Sequence, residues 1–264
     1  MIEIDHIYNG DCLELMKEIP DGTVDMVCCD LPYGVLNRSS EGGSWDTIIP
    51  FEPLWREYER VTKENAAIVL FAQGMFTAKL MLSNERMWKY NLVWDKCRAT
   101  GFLNANRMPL RYHEDICVFY KKLPTYNPQM EELNGREPNH PQGHGDHKEK
   151  NSCYGKVGRI NPTYEDKKHP RSIIKIKQVH CNEEQFHPTQ KPVDLMRYLI
   201  LTYSNRGGVI LDNCIGSGTT AIAAIKEHRH YIGMELDKRY YEIACKRIKQ
   251  EKQILTLDFE YAEE

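Results

Sequence analysis

Asp30-Leu31-Pro32-Tyr33 sets a carboxylate, a ring-locked backbone and a phenol side by side. An amino group on an aromatic ring carries two N–H donors. Asp30 can accept one of them. A carbonyl turned outward beside Pro32, which has no N–H of its own, can accept the other. Tyr33 adds an exposed ring for stacking. Alone, the tetrapeptide also fits an Asx-type turn in which proline closes a strand.

A second run, Asp212-Asn213-Cys214-Ile215-Gly216-Ser217-Gly218-Thr219-Thr220, places glycines where a chain would turn from strand to helix. Gly216 and Gly218 let the backbone approach a ligand closely. No lysine follows in the arrangement of a phosphate-binding P-loop, and the third glycine of a dinucleotide fingerprint is missing. One strand later, Tyr231-Ile232-Gly233-Met234 ends in Glu235, an acid that can accept from both hydroxyls of a ribose. Turn and acid together suggest a nucleoside cofactor. A plain tight turn followed by an exposed acid accounts for them equally well.

The elements that must position these residues follow from periodicity. Residues 1–122 alternate short strands and helices. Strands are expected at Ile4–Tyr8, Val24–Cys29 and Ala66–Phe71, and helices at Asp11–Ile19, Phe51–Thr62 and Met75–Arg86. Tyr90–Trp94 and Ile116–Tyr120 read as a hairpin-like pair at a sheet edge. Regular structure returns with helix Pro192–Tyr203, strand Val209–Leu211, helix Thr219–Glu227, strand Tyr231–Met234 and helix Lys238–Gln250. Val24–Cys29 is apolar throughout, as in the middle of a parallel sheet. The alternation predicts an open α/β sheet with both glycine turn and Asp30 at strand ends.

Between Leu123 and Glu184 neither helical nor strand periodicity persists. Proline, glycine, histidine, asparagine and lysine dominate, and basic residues outnumber acids from Asn134 to His180. Single lysines there read as solvated surface charges, and Asn134–Lys150 as a mobile loop. The histidines lack regular ligand spacing, so no metal is expected.

A chain of 264 residues can bury a sizeable core. It has no apolar run of membrane-spanning length, and Met1-Ile2-Glu3-Ile4-Asp5-His6 lacks the regions of a signal peptide. Nine cysteines, several inside apolar runs and none in a Cys-x-x-Cys pair, read as buried thiols in a reducing compartment. The chain is expected to work in the compartment where it is made. A net charge of −3 neither advertises nor excludes nucleic-acid binding, which needs only a local basic face.

Taken together, Gly10-Asp11-Cys12-Leu13, Asp30 to Tyr33, His187-Pro188-Thr189-Gln190-Lys191-Pro192, Asp212 to Thr220 and Gly233 to Glu235 resemble the S-adenosylmethionine-dependent DNA amino-methyltransferases. The order, tetrapeptide first and glycine loop last, is similar to their beta class, and the resemblance spans most of the chain. It implies a Rossmann-like α/β methyltransferase fold: a mostly parallel twisted sheet with an antiparallel edge hairpin and permuted motif order. Residues 1–122 would form the catalytic half, 123–184 an inserted, partly mobile target-recognition region, and 185–264 the cofactor-binding half. Two departures stand out: Leu31 replaces the commoner proline, and Asp212-Asn213-Cys214 replaces Asp-Pro-Phe.

The resemblance also implies roles. Asp30, with Pro32 and Tyr33, would face target amine and cofactor, and Tyr33 would stack on a flipped base. Glu235 would hold the cofactor ribose. Gly216, Ser217 and Gly218 would pass its methionyl part, beside Asp212 and Asn213. Asp11 and Cys12 would lie by its adenine, and Thr189 and Lys191 near its carboxylate. The loop Gly34–Pro50, with Trp45, would close over the base or dock on the core. The partner implied is double-stranded DNA, with a homodimer and a cognate restriction enzyme compatible with the pattern. An acid at position 30 goes with adenine in this family, so 6-methyladenine is the expected product. No Pro-Cys dipeptide occurs, which sets aside methylation at a cytosine carbon. The alternatives are a 4-methylcytosine enzyme, an RNA or protein amino-methyltransferase, and an idle DNA-binding module.

Overall fold

The computed structural model of the chain describes residues 2–35, 46–132, 167–179 and 190–262, with side chains to residue 254. Its elements run β1 (His6–Asn9), α1 (Cys12–Met16), β2 (Val24–Cys29), α2 (Phe51–Val61), β3 (Thr62–Ala72), α3 (Met75–Ser83), β4 (Trp88–Thr100) and β5 (Arg111–Phe119). There follow β6 (Glu131–Glu132), β7 (Lys167–Lys168), β8 (Ile173–Lys175), α4 (Val193–Tyr203), β9 (Val209–Asp212), α5 (Thr219–Lys226), β10 (His230–Glu235) and α6 (Lys238–Ala262).

Residues 1–127 and 172–264 form one compact unit, and residues 128–171 a second. In the first, eight strands make one sheet in the order β1-β10-β9-β2-β3-β5-β4-β8. From β1 through β3 every pairing is parallel; β5 is antiparallel to both β3 and β4. The chain leaves β9 toward β10 and leaves β2 toward β3, so the strand order reverses between β9 and β2. In an open α/β sheet that reversal leaves a crevice beyond the carboxyl ends of the strands.

Side chains of β3 alternate between two cores. Ala67, Val69 and Phe71 pack with Leu195, Leu199, Ala221 and Ala223 of α4 and α5. Ile68, Leu70 and Ala72 pack with Met16, Leu54, Tyr58 and Leu80 of α1, α2 and α3. The sheet is therefore covered on both faces, which explains why its central strands are apolar throughout. Leu54, Tyr58 and Val61 of α2 and Leu195, Leu199 and Thr202 of α4, the stripes expected from helical spacing, are all buried.

Two expectations are corrected. The β4–β5 pair does not end the sheet, because β8 adds to β4 in parallel and becomes the edge. Residues 173–175, placed by sequence in an irregular stretch, thus belong to the main sheet. β4 and β5 are also longer than their apolar runs, extending to Thr100 and back to Arg111. In the second unit β6 and β7 pair antiparallel, with Glu131 opposite Lys168 and Glu132 opposite Lys167. Among the described residues no helix is long and apolar enough to cross a membrane.

Candidate active site

A cavity of about 700 Å³ opens in the first unit and is lined by the ends of β1, β2, β4, β5, β9 and β10. It sits where the strand order reverses, and its volume lies within the range of ligand pockets. It divides into two sides.

One side is built on backbone. Glu235 ends β10, and its Oε2 accepts from the Gly216 N–H at 2.8 Å while Oε1 accepts from the Asp237 N–H at 2.8 Å. Burial raises its pKa, and those two N–H donors offset part of the rise. The Glu235 carbonyl takes the Gly10 N–H at 3.0 Å and the Asn9 amide at 2.8 Å, which locks the start of the α1 loop to the acid. Asp11 caps α1 by accepting from the Leu13 N–H at 2.8 Å, and Cys12 is buried behind it.

Asp212 is buried at the end of β9 and accepts from the Thr220 hydroxyl and the Cys214 N–H. Burial, only partly offset by these neutral donors, pushes its carboxyl up to about 6. Asn213 is also buried. Its Oδ1 accepts from Tyr58 Oη at 2.6 Å, and its amide lies 3.5 and 3.6 Å from the sulfurs of Cys12 and Cys214. The residue that departs from the expected Asp-Pro-Phe pattern thus ties the glycine loop to α2. Ser217 donates to Gln190 Oε1 at 3.2 Å. Gly216 turns with φ +55°, a left-handed value that favours glycine. Gly218 does not line the cavity. It caps α5 with φ +86°, and a Cβ there would stand 3.1 Å from Ala244 Cβ, so it lets α5 start tight against α6.

The other side is built on charge. Asp30 follows β2, and its Oδ1 accepts from Tyr33 Oη at 2.7 Å. Its Oδ2 accepts from the Lys191 ammonium. Lys191 Nζ also lies 3.3 Å from Glu114 Oε2 and 5.0 Å from the centre of the Phe71 ring. Glu114 Oε1 in turn meets Lys96 Nζ at 3.2 Å. The result is a buried chain of two acids and two ammonium groups. Burial raises the Asp30 pKa, and Lys191 offsets part of that rise. Burial alone would raise Glu114 too, but Lys191 and Lys96 together hold it below its usual range. Burial would lower Lys191, and Asp30 with Glu114 more than reverses this.

Asp30, Pro32, Tyr33, Asp11, Cys12, Lys191, Asp212, Asn213, Gly216, Ser217 and Glu235 all line this one cavity. Thr189 and Trp45 lie outside the described residues. Tyr33 is half-buried instead of exposed: one face stacks on Phe76, with centroids 4.9 Å apart. Lys96 and Glu114 are site residues that the motifs did not reveal. Each is a polar residue in a strand extension, and Glu114 stands just ahead of the apolar run Ile116–Phe119, the signal that would have found it.

A family model described as DNA methylase matches residues 24–246. The DNA adenine methyltransferase YhdJ of Escherichia coli (strain K12) is 26% identical over 261 residues, covering 92% of this chain and 82% of that protein. Two solved structures share the fold. The M1.HpyAVI–SAM complex has a TM-score of 0.59 at 23% identity, covering 92% of this chain and 98% of that one. The PvuII DNA methyltransferase (cytosine-N4-specific) has a TM-score of 0.62 at 14% identity, covering 90% and 84%.

Proposed function

Because the chain belongs to the DNA methylase family, we propose that it moves the methyl group of S-adenosylmethionine to the exocyclic amino group of adenine in double-stranded DNA. One observation carries this reading. Asp30 at the end of β2 and the Glu235–Gly216 pair at the ends of β10 and β9 line the same cavity. An acceptor for an aromatic amine and an acceptor for a ribose therefore stand within reach of one substrate pair.

The residues fit the cofactor. Glu235 presents a carboxylate to the cavity, backed by a turn whose glycine needs its left-handed φ. Asp11 and Cys12 line the stretch where an adenine would lie, while the Lys191 ammonium, which also lines the cavity, is engaged by Asp30 and Glu114. The cofactor supplies a methyl group already activated on sulfonium, so the protein's task is positioning and electrostatics. Asp30 accepts one N–H of the amine and a carbonyl near Leu31 or Pro32 accepts the other, which frees the nitrogen lone pair for in-line attack. The surplus proton of the methylated nitrogen would leave along its hydrogen bond to Asp30, and the cysteines play no covalent part. The open face of the Tyr33 ring receives the base. Since the target nitrogen lies inside a duplex, the base must first leave the stack.

Residues 123–184 take the role of target-recognition region in this reading, with their lysines and arginines contacting phosphate. The β4–β5 turn supports a DNA partner from the first unit. Thr100, Gly101 and Arg111 line the cavity, and Phe102 and Leu103 stand exposed between them in sequence. The YhdJ relative and the acid at position 30 favour adenine. The PvuII likeness makes cytosine N4 the second reading, because both amines suit the same geometry.

The test is transfer of labelled methyl from S-adenosylmethionine to unmethylated duplex DNA, followed by nucleoside analysis. Label in 6-methyladenine is expected. Label in 4-methylcytosine would overturn the base assignment, and label only in RNA or protein would overturn the DNA assignment.

A further inference from the structure

The ion chain behind Asp30 holds a loosely paired acceptor. Glu114 Oε2 is buried and takes no well-aligned hydrogen bond from the described residues; its partner is the Lys191 ammonium, 3.3 Å away. The ammonium instead points at Asp30 Oδ2. The longer of the two contacts that the ammonium makes is therefore the one it could tighten. Lys191 is thus a cation shared by two carboxylates and aligned on one. Glu114 is itself anchored, because Lys96 holds its other oxygen at 3.2 Å. Lys191 alone in the ion chain has two carboxylates to choose between.

We propose that Glu114 is a positioning residue that draws the Lys191 ammonium off Asp30 when the target amine arrives, leaving Asp30 to face the amine as an unneutralised carboxylate. This rests on the amino-methyltransferase reading and deepens it. In the arrangement observed, Asp30 Oδ1 takes the Tyr33 hydroxyl and Oδ2 takes the ammonium. A carboxylate so neutralised is a weak acceptor for a neutral amine. A swing of Nζ toward Glu114 Oε2 tightens that ion pair and restores the strength of Asp30 in one motion. No proton changes hands: Lys191 stays an ammonium throughout. Phe71 gives the ammonium a ring face at 5.0 Å, which keeps it stabilised between the two carboxylates. The low dielectric of the buried site makes each contact stronger than it would be in water.

The experiment compares wild type with Glu114→Gln and Glu114→Asp in single-turnover transfer to duplex DNA, alongside S-adenosylmethionine dissociation constants and thermal unfolding. Gln keeps the shape but not the charge that draws Lys191. Its transfer rate should fall about tenfold or more while cofactor affinity stays within about threefold. Asp keeps the charge one methylene short and should fall between Gln and wild type. A merely structural role would lower cofactor affinity and rate together, and that result overturns the inference. So does a Gln variant within about twofold of wild type in rate. Should the Gln variant not fold, the Asp variant decides: a slower rate at unchanged affinity supports the handover, and a wild-type rate sinks it. Failure of the wild type to label DNA counts against the methyltransferase reading instead.

Discussion

Asp212, buried, and Glu114, largely buried, are both acids on the wall of one cavity, and the loss of solvation leaves them in opposite states. Asp212 is held by a hydroxyl and a backbone N–H and is pushed up to about 6. Glu114 stands beside two ammonium groups and is held below its usual range. Neutral donors offset the loss of solvation only in part, and so does the single ammonium beside Asp30; the two beside Glu114 more than offset it. The contrast extends to the whole site. The cofactor side fixes its acids with backbone and short side chains: Gly216, Asp237, Thr220 and Cys214. The Asp30 side fixes its acids with two long lysines, one of which, Lys191, is shared by two carboxylates. A scaffold of the first kind is set before any ligand binds. One of the second kind can change during turnover. Substitutions on the first side should therefore act on cofactor affinity or stability, and those on the second on the rate of transfer.

The sharpest way to break that division is Asp30→Ala. It removes the acceptor for the amine and leaves Lys191 with Glu114 alone. Transfer from bound cofactor should fall by about 10³-fold, with cofactor affinity changed by less than about threefold. Single-turnover assay and a binding titration read the two quantities separately. Near-normal transfer would refute the role of Asp30, and an equal loss of both would erase the difference between the sides.

The same contrast explains what was legible in sequence. The cofactor side lies in contiguous runs, Asp212 to Thr220 and Tyr231 to Glu235, because backbone contacts are local to a turn and the next strand. Its positions could be read off the chain. The Asp30 side draws on residues 30, 33, 96, 114 and 191, on four separate segments. Asp30 announced itself by ending an apolar run. Glu114 did not, because β5 is antiparallel to β3 and brings its amino end to the edge where β2 and β3 bring their carboxyl ends. A residue at the start of an apolar run was the one to examine there. Lys96 lies beyond Trp94 in a strand whose apolar pattern had already ended. β8 escaped for a related reason: Ile173–Lys175 is three residues long, and the brief alternation Ile174-Lys175-Ile176-Lys177 around it stands alone in a stretch without periodicity.

A smaller effect tests the cofactor side through pH. The Asp212 carboxyl rises from an ordinary 3.8 to about 6 on folding. Between those values the folded chain holds a proton that the unfolded chain has lost. Its contribution to stability therefore falls as pH rises through that window and is constant above it. Two pH units correspond to about 3 kcal/mol. Asp212→Asn removes this titration, so denaturant unfolding followed from pH 4 to 7 should show a flatter profile than wild type. An unchanged slope would mean that the neutral donors compensate Asp212 after all.

The smallest effect expected is that of Glu235→Gln. An amide cannot accept from both Gly216 and Asp237, as the carboxylate does at 2.8 Å each, because its NH₂ end must face one of those donors. It also cannot accept from both hydroxyls of a ribose. One good contact is lost while the strand end and the turn keep their backbone pairings. Cofactor affinity should drop by about tenfold, close to 1.4 kcal/mol. Transfer at saturating cofactor should hold within about twofold, since Glu235 touches neither the amine nor the ion chain. A loss of rate with affinity intact would place Glu235 on the wrong side of the divide, and the two halves of the cavity would then have to be treated as one coupled network.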